Sequence, residues 1–217
     1  EPAELTMGAW DREELEKLMK ELEFKAGYQR VATPQLAKTE LYYRTGHLPY
    51  YAPHMFPVME LKERTEAGEE VREAYVLRPM NCPHHHKVYA SRLRSYRDLP
   101  LRLAEYGQVY RYEDSGALSG LLRVRGMCMN DAHIYCTEEQ AKAEFLAVME
   151  MHREVYEILG LRDYYFRFST WDPDDPKGKE KYVDDPEGWE RAQAKVREAM
   201  IESGLPFEEG KGEAAFY

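Results

Sequence analysis

Cys82 is followed by a proline and then by three consecutive histidines at positions 84–86, a grouping that suggests a metal site. Pro83 is typical of the first position of a helix, where its missing N–H costs nothing, so residues 83–91 are predicted to form a helix with Cys82 as its N-cap. Neighbouring side chains on a helix point about 100° apart, so at most one of the histidines could share a metal with Cys82. Because a helix N-terminus stabilises the thiolate that binds zinc, Cys82 is the stronger candidate ligand, and its partners are expected elsewhere.

A second group of candidate residues lies on the predicted strand 123–136. Alternate side chains of a strand lie on the same face, which places Met127, Met129, Asp131 and His133 together. His133 is the second candidate metal ligand, and Asp131 is about 7 Å from it along the same face.

The predicted strand 108–113 carries a third group, in which Arg111 and Glu113 share one face. Arg123 and Arg125 share a face of the strand that follows. If these faces line one pocket, its guanidiniums, carboxylates, thiolate and imidazole suit a triphosphate together with a small zwitterion. Alternating arginine and glutamate more commonly marks an exposed sheet face, so the pattern alone leaves both interpretations open.

The composition is that of a soluble globular protein, with 32% charged and 43% hydrophobic residues among 217. No apolar run approaches the roughly 20 residues of a membrane span, so no membrane association is expected. Three cysteines without CxxC spacing argue against a disulfide framework, and a reducing, cytoplasmic setting is therefore expected.

The net charge of −10 argues against a nucleic-acid-binding protein if the charge is evenly spread. Residues 87–125, however, carry eight basic and four acidic side chains, a local charge of +4. This arginine-rich segment is either a solvated surface or an anion site for phosphates or carboxylates.

Helical and strand-like patterns alternate along the sequence. Strands are predicted over residues 74–78, 101–106, 108–113, 123–136 and 164–169, and the strongest helices over 137–160 and 189–203. The short strand connections favour antiparallel pairing, hence an α+β fold with an antiparallel β-sheet flanked by helices. The sequence starts at Glu1 and stops in a strand-like run at Tyr217, which leads us to expect a fragment.

Ordered motifs along essentially the whole sequence resemble those of the threonyl-tRNA synthetases, a family of class II aminoacyl-tRNA synthetases. The matching segments are RPMNCP at 78–83, SYRDLP at 95–100, YRYE at 110–113, RVRG at 123–126, NDAH at 130–133, CTEEQ at 136–140 and GEAAFY at 212–217. The resemblance implies a class II catalytic core over residues 1–217. This core would be incomplete at its C-terminus, because the third class II signature and the anticodon-binding domain would follow Tyr217.

The resemblance also implies roles in ATP binding and catalysis. Arg111 matches the arginine that binds the ATP α-phosphate and the amino-acid carboxylate, and it is the expected catalytic residue. Glu113 matches the glutamate that recognises the adenine amino group, and Arg123 matches an arginine that reaches the outer phosphates. Met127 stands where a phenylalanine usually lines the adenine site. Mg²⁺ is expected with the ATP.

Threonine recognition in this family uses one zinc ion per catalytic site, held by one cysteine and two histidines. Cys82 and His133 match two of these ligands, and the third would lie outside the sequence. Asp131 matches the aspartate that accepts a hydrogen bond from the threonine hydroxyl. Three further residues are expected around the substrate: Met80, Met129, which stands where glutamine is usual, and Tyr217.

Zinc would allow the site to select threonine over valine. Threonine and valine are nearly isosteric, and an apolar pocket separates them by only about a hundredfold. A metal that needs the hydroxyl as a ligand leaves valine with an unfilled coordination position, which turns a weak difference in shape into a strong polar one.

The resemblance therefore implies a threonine–tRNA ligase, which activates threonine with ATP to threonyl-adenylate and transfers it to tRNA(Thr). It also implies a homodimer that pairs near Pro34, and the fragment alone is expected to be inactive. Two alternatives stay open: a synthetase-derived binding or regulatory protein without catalysis, and a small structural zinc protein built on Cys82 and residues 84–86. The last has too few ligands for a closed tetrahedral site.

Overall fold

Helices and short strands alternate in the computed structural model, which describes residues 2–64, 66, 68, 70–175 and 182–215. The chain divides into two units, Glu1–Ile134 and Tyr135–Tyr217. The predicted α+β class is confirmed, and the described residues form three small sheets. No helix within these ranges is long and apolar enough to cross a membrane.

Ten helices and strands that begin among the described residues of the first unit position the candidate site. They are α1 (Pro2–Lys25), β1 (Gln29–Arg30), β2 (Leu36–Lys38), α2 (Thr39–Arg44), α3 (His47–Tyr50), β3 (Met59–Arg64), β4 (Glu70–Leu77), α4 (Cys82–Ala90), β5 (Leu101–Tyr110) and β6 (Gly126–Tyr135). Short 3₁₀ turns connect some of them, at Ala52–His54, Tyr96–Asp98 and Ser115–Ala117.

Two sheets begin in this unit, with strand orders β1-β5-β6 and β2-β4-β3. In the second sheet β4 pairs antiparallel with both neighbours, as predicted. In the first sheet β1 runs parallel to β5, with Gln29 opposite Leu103. Parallel pairing is possible here because the long segment between the two strands provides the crossover that it requires.

A backbone hydrogen bond joins β5 and β6 at the end that lies beside the candidate site. The N–H of Arg111 donates to the carbonyl of Arg125 at 2.8 Å. The C-terminal end of β5 therefore lies beside the N-terminal end of β6, which is the arrangement of an antiparallel pair.

The hydrophobic core of the first unit lies where α2 packs against β2 and β4. Its buried side chains are Ala37, Tyr42, Leu48, Met55 and Val76, with Leu41 and Tyr51 packed against them. The central strand β5 is also largely buried, through Leu101, Leu103, Ala104 and Val109. An apolar run of this kind is typical of a strand that is covered on both faces of its sheet.

The second unit contains α5 (Ala141–Ile158), β7 (Phe166–Thr170), α6 (Pro186–Ser203) and β8 (Phe207–Lys211). The helices α5 and α6 pack together, and β7 pairs parallel with β8. Local sequence signals set the helix ends. The Asp185 carboxylate accepts the N–H of Gly188 at 3.0 Å before the first turn of α6, and Gly204 ends that helix with a left-handed φ of 65°.

The helix α4 begins at Cys82, one residue earlier than predicted, so Cys82 is not its N-cap. The N–H groups of His84 and His85 both donate to the carbonyl of Asn81, at 3.0 and 3.1 Å. Asn81 therefore supplies the first helical carbonyl and occupies the N-cap position, and Cys82 lies in the first turn.

The strand β5 ends at Tyr110, and the predicted strand positions of Arg111 and Glu113 are wrong. The chain turns away because the N–H of Tyr112 donates to the carbonyl of His54 at 2.9 Å, outside the sheet. Arg123 and Arg125 likewise precede β6, which begins at Gly126. The basic residues of the candidate site therefore lie on the connection between the two strands.

Candidate active site

One face of β6 carries the predicted alternation of Met127, Met129, Asp131 and His133, all four half-buried, while the residues between them are exposed. The exposed residue Asn130 donates to Glu23 of α1 at 2.6 Å, on the opposite face. The half-buried face instead meets Arg111 and the residues at the start of α4.

Arg111 reaches this face from the end of β5. Its Nη2 lies 3.7 Å from the sulfur of Met129, and its Nε lies 3.4 Å from the carbonyl of Pro79. Among the described residues, no carboxylate lies within salt-bridge distance of its guanidinium. A half-buried cation without a counterion is a strong site for an anionic ligand.

Glu113 and Arg123 form an ion pair beside Arg111, with 3.2 Å between Arg123 Nε and Glu113 Oε2. The Glu113 side chain is 13% exposed and that of Arg123 is 58% exposed. Arg125 donates to the backbone carbonyl of Glu113 at 2.9 Å, and its guanidinium lies 5.8 Å from the ring centre of Tyr112. These contacts fix the connection between the strands without occupying Arg111.

Asn81 links the start of α4 to β6. Its amide Nδ2 donates to Asp131 Oδ2 at 3.0 Å. The side-chain oxygen Oδ1 of Asn81 is buried and has no hydrogen-bond partner within the described part of the chain. The side chain lies so close to β5 that a Cβ atom at Gly107 would be 2.4 Å from the Asn81 oxygen. Gly107 is therefore required for Asn81 to hold Asp131 in this position.

A buried ion pair lies beneath these residues. Arg78 and Glu105 are 2% and 3% exposed, with 3.1 Å between Arg78 Nη1 and Glu105 Oε1. Arg78 also donates to the carbonyl of Gln108 at 2.7 Å and to the hydroxyl of Thr33 at 2.5 Å. Glu105 in turn accepts from the N–H and the hydroxyl of Thr33, both at 2.8 Å.

His85 connects this ion pair to the candidate metal ligand His133. Its Nε2 is 3.0 Å from Glu105 Oε2, and its Nδ1 is 2.8 Å from His133 Nδ1. No local sequence pattern indicates this contact. The available signal was Glu105 itself, because a carboxylate within an apolar strand is seldom buried without a partner.

The acid–base properties follow from these contacts. Burial alone raises the pKa of Glu105, but the hydrogen bonds from His85 and Thr33 and the charge of Arg78 outweigh it and lower the pKa to about 2. Burial lowers the pKa of His133 to about 4, against the opposing effect of Asp131. Glu105 is therefore a carboxylate at neutral pH, and His133 is a neutral imidazole.

The remaining predicted site residues lie as follows. Cys82 is buried in the first turn of α4, and Met80 lies just before it, where its carbonyl accepts the Tyr42 hydroxyl at 3.2 Å. Tyr217 lies outside the described residues. No group of three or more histidine, cysteine or acidic side chains able to hold a metal ion is found in the described ranges.

Comparison with known proteins identifies the fold that holds this site. The family model of the tRNA synthetase class II core domain (G, H, P, S and T) matches residues 64–201, more than half of the chain. The chain belongs to this family. The predicted class II synthetase core is thereby confirmed. The described residues of the candidate site lie within the matched range, whereas their contact partners Glu23, Thr33 and Tyr42 precede it.

Relatives of this class II core are threonine–tRNA ligases. The chain is 50% identical over 206 residues to that of Thermus thermophilus, covering 95% of this chain and 30% of that protein. It is 50% identical over 216 residues to that of Halalkalibacterium halodurans, covering 100% of this chain and 32% of that protein. The chain thus spans about a third of the length of these curated relatives.

A solved structure of a threonyl-tRNA synthetase domain is also similar to this chain. The RNA binding domain of threonyl-tRNA synthetase from Cryptosporidium parvum superposes with a TM-score of 0.76 and is 30% identical. The match covers 94% of this chain and 46% of that chain.

Two buried histidines generate a prediction for stability. Burial lowers the pKa of both His47 and His84 from 6.5 to about 4. The unfolded chain takes up protons near pH 6.5 that the folded protein resists, so stability is complete above that pH and is lost as the pH falls toward 4. We expect each histidine to contribute up to about 3 kcal/mol to this loss, measured by urea unfolding between about pH 7 and 4.5.

The His84→Gln variant removes one of the buried histidines whose pKa is lowered, and it should make this pH dependence less steep. The matched control is His152→Gln on α5, where the side chain is exposed. Equal slopes in wild type and His84→Gln would contradict the assignment. Working above about pH 4.5 keeps the titration of Glu105 out of the measurement.

Proposed function

We propose that the protein acts as a threonine–tRNA ligase, which forms threonyl-adenylate from threonine and ATP and transfers the threonyl group to tRNA(Thr). The proposal is supported by 50% identity to threonine–tRNA ligases along the chain. The observation that carries it is the half-buried guanidinium of Arg111, which has no carboxylate partner within the described ranges and faces the same strand surface as Asp131 and His133.

Arg111 is the proposed catalytic residue. In the activation step a carboxylate oxygen of threonine attacks the α-phosphorus of ATP, and pyrophosphate leaves. Negative charge builds up on the α-phosphate oxygens, and a fixed cation already aimed at them stabilises the transition state without reorganisation. The contacts of Arg111 with Pro79 and Met129 hold the guanidinium in place while leaving most of its N–H donors for ligands.

Glu113 and Arg123 are proposed to bind the two ends of ATP, the adenine amino group and the outer phosphates, with ATP present as its Mg²⁺ complex. Their mutual ion pair holds the glutamate, which is largely buried, and leaves the arginine mostly exposed. Met127, half-buried on β6, would contact adenine through its flexible thioether.

Cys82 and His133 fit the proposed zinc site as far as the donors present allow. A buried thiol in the first turn of a helix and a neutral imidazole are both ligands that zinc prefers. The Nδ1 of His133 is occupied by His85, and no other polar contact of His133 occurs within the described ranges, so Nε2 is left for a metal. Zinc bound there would supply a Lewis acid that ligates the threonine hydroxyl, which valine lacks.

Asp131 is proposed to recognise the same hydroxyl as a hydrogen-bond acceptor. One of its carboxylate oxygens accepts from Asn81 at 3.0 Å, which restrains the side chain. The other oxygen can then accept from the substrate. A half-buried acceptor left unpaired by valine adds to the discrimination.

The variant Arg111→Ala in the complete gene product tests the catalytic role. We expect a loss of about 3 kcal/mol in transition-state stabilisation, which corresponds to about a 150-fold slower ATP–pyrophosphate exchange with threonine. Arg153→Ala on α5, where the arginine pairs with Glu150 on the surface, is the matched control and should exchange at the wild-type rate. Exchange by Arg111→Ala within about threefold of wild type would remove Arg111 from this role.

Asp131→Ala should weaken the choice of threonine over valine and leave ATP binding largely intact. We expect the ratio of kcat/KM for the two amino acids to fall by at least about tenfold, because the substrate hydroxyl loses a buried partner. The control is Asn130→Ala, one residue away on the opposite face of β6. An unchanged ratio would show that Asp131 does not contact the hydroxyl.

Metal analysis of the complete gene product tests the zinc ligands. Cys82→Ser is expected to lose bound zinc, whereas Cys128→Ser, which changes an exposed free cysteine, keeps it. The 217-residue chain alone should bind zinc weakly, because Cys82 and His133 are only two of the three protein ligands that the proposed site uses. Stoichiometric zinc in Cys82→Ser would refute the assignment.

A further inference from the structure

A line of hydrogen bonds runs from the buried ion pair to the proposed metal ligand. Glu105 Oε2 is 3.0 Å from His85 Nε2, and His85 Nδ1 is 2.8 Å from His133 Nδ1. His85 is fully buried, so water does not compete for either of its nitrogens. We refer to these three residues as the Glu105–His85–His133 relay.

The direction of the first hydrogen bond is fixed by the surroundings of Glu105. Its two oxygens accept from Arg78, from the N–H and hydroxyl of Thr33, and from His85. With donors on every side, this carboxylate can only accept. His85 must therefore carry a proton on Nε2 and donate it to Glu105.

The second hydrogen bond joins two Nδ1 atoms, so one of the two histidines holds the single proton between them. If His85 is neutral, its proton is on Nε2 and its Nδ1 accepts from His133. If His85 is an imidazolium, it donates from both nitrogens, and His133 must then carry its proton on Nε2.

Ligation through Nε2 agrees only with the first arrangement. A histidine that binds a cation through Nε2 carries its ring proton on Nδ1. In the 2.8 Å contact that proton belongs to His133, and His85 Nδ1 is its acceptor. The hydrogen bond from His85 Nε2 to Glu105 holds the His85 ring in the orientation that accepts it.

We propose that Glu105 and His85 are positioning residues that hold His133 as its Nδ1–H tautomer, so that its Nε2 presents a lone pair to a divalent cation. The inference rests on the proposed function in taking that cation to be the zinc of the threonine site. An isolated imidazole side chain in water favours the opposite tautomer, with the proton on Nε2, which cannot ligate a metal through that atom.

The relay would also fix the ring of His133. A ligating histidine that donates its other N–H to a fixed acceptor is oriented and made more basic, and loss of such a partner typically lowers metal affinity by about 10- to 100-fold. Here the acceptor is a second histidine, and its own orientation is set by the carboxylate of the structural ion pair.

The tautomers can be measured directly in the metal-free chain. Long-range ¹H–¹⁵N correlation spectra at neutral pH distinguish protonated from unprotonated ring nitrogens, with signals assigned by removing single histidines. We expect His133 to be protonated on Nδ1 alone and His85 on Nε2 alone. A proton on Nε2 of His133, or two protons on His85, would overturn the proposal.

The variant His85→Phe tests whether His85 sets the tautomer of His133, because phenylalanine keeps an aromatic ring and lacks both nitrogens. We expect His133 to shift to its Nε2–H tautomer, while the control His86→Phe, whose ring lies 5.6 Å from that of His133, leaves the tautomer unchanged. An unchanged Nδ1–H signal in His85→Phe would overturn the relay. Because the wild-type spectrum is decisive by itself, the test survives if this variant fails to fold.

Zinc affinity provides the second readout, in the complete gene product. His85→Phe should bind zinc about 10- to 100-fold more weakly than wild type, and His86→Phe should match wild type. Equal affinities in His85→Phe and wild type would overturn the positioning role. A wild-type protein without zinc would instead refute the metal in the proposed function, which the tautomer spectra do not test.

Discussion

The buried ion pair of Arg78 and Glu105 is the constraint on which the rest of the candidate site depends. A buried pair contributes little net stability, since its desolvation offsets most of its attraction, but it demands that every donor and acceptor be satisfied. Arg78 and Glu105 meet that demand with Thr33, Gln108 and His85, which come from separate segments of the chain. The pair therefore fixes the loop after β1, the strand β5 and the helix α4 relative to one another.

The position of α4 in turn decides what its first turn can contact. With His85 held on Glu105, Asn81 lies against Gly107 and reaches Asp131, and His85 reaches His133. Both contacts are to alternate residues on one face of β6. A single electrostatic anchor thus orients a proposed substrate acceptor and a proposed metal ligand, although neither of these touches Arg78 or Glu105 in the hydrogen bonds described.

The sequence predicts the helices, strands and strand faces that residues close in the chain determine. It does not predict the contacts that residues far apart in the chain make with one another. Strand periodicity placed Asp131 and His133 on one face of β6, and the spacing of local signals predicted α5 and α6. The strand position of Arg111 was wrong because a backbone hydrogen bond between Tyr112 and His54, far apart in sequence, ends β5 early. The contact of His85 with Glu105 was missed for the same reason: nothing within α4 indicates a carboxylate on another strand.

The histidines at 84–86 illustrate how burial separates residues of one type. His84 packs 6.2 Å from the ring of Tyr42, His85 is hydrogen-bonded at both nitrogens, and His86 lies edge-on to His133 at 5.6 Å. The helical divergence of these side chains, predicted from the sequence, allows each a different environment. A local run of metal-ligating residues therefore need not form a local metal site.

Burial also separates the roles of two arginines, Arg78 and Arg111. Arg78 is 2% exposed, and its charge is neutralised by Glu105 within the fold. Arg111 is half-buried, and its charge is left without a carboxylate among the described residues. Glu105 is paired with Arg78, and Glu113 is paired with Arg123, so neither carboxylate neutralises Arg111. Arg111 therefore keeps a positive charge for an anionic ligand, which in the proposed function is the α-phosphate of ATP.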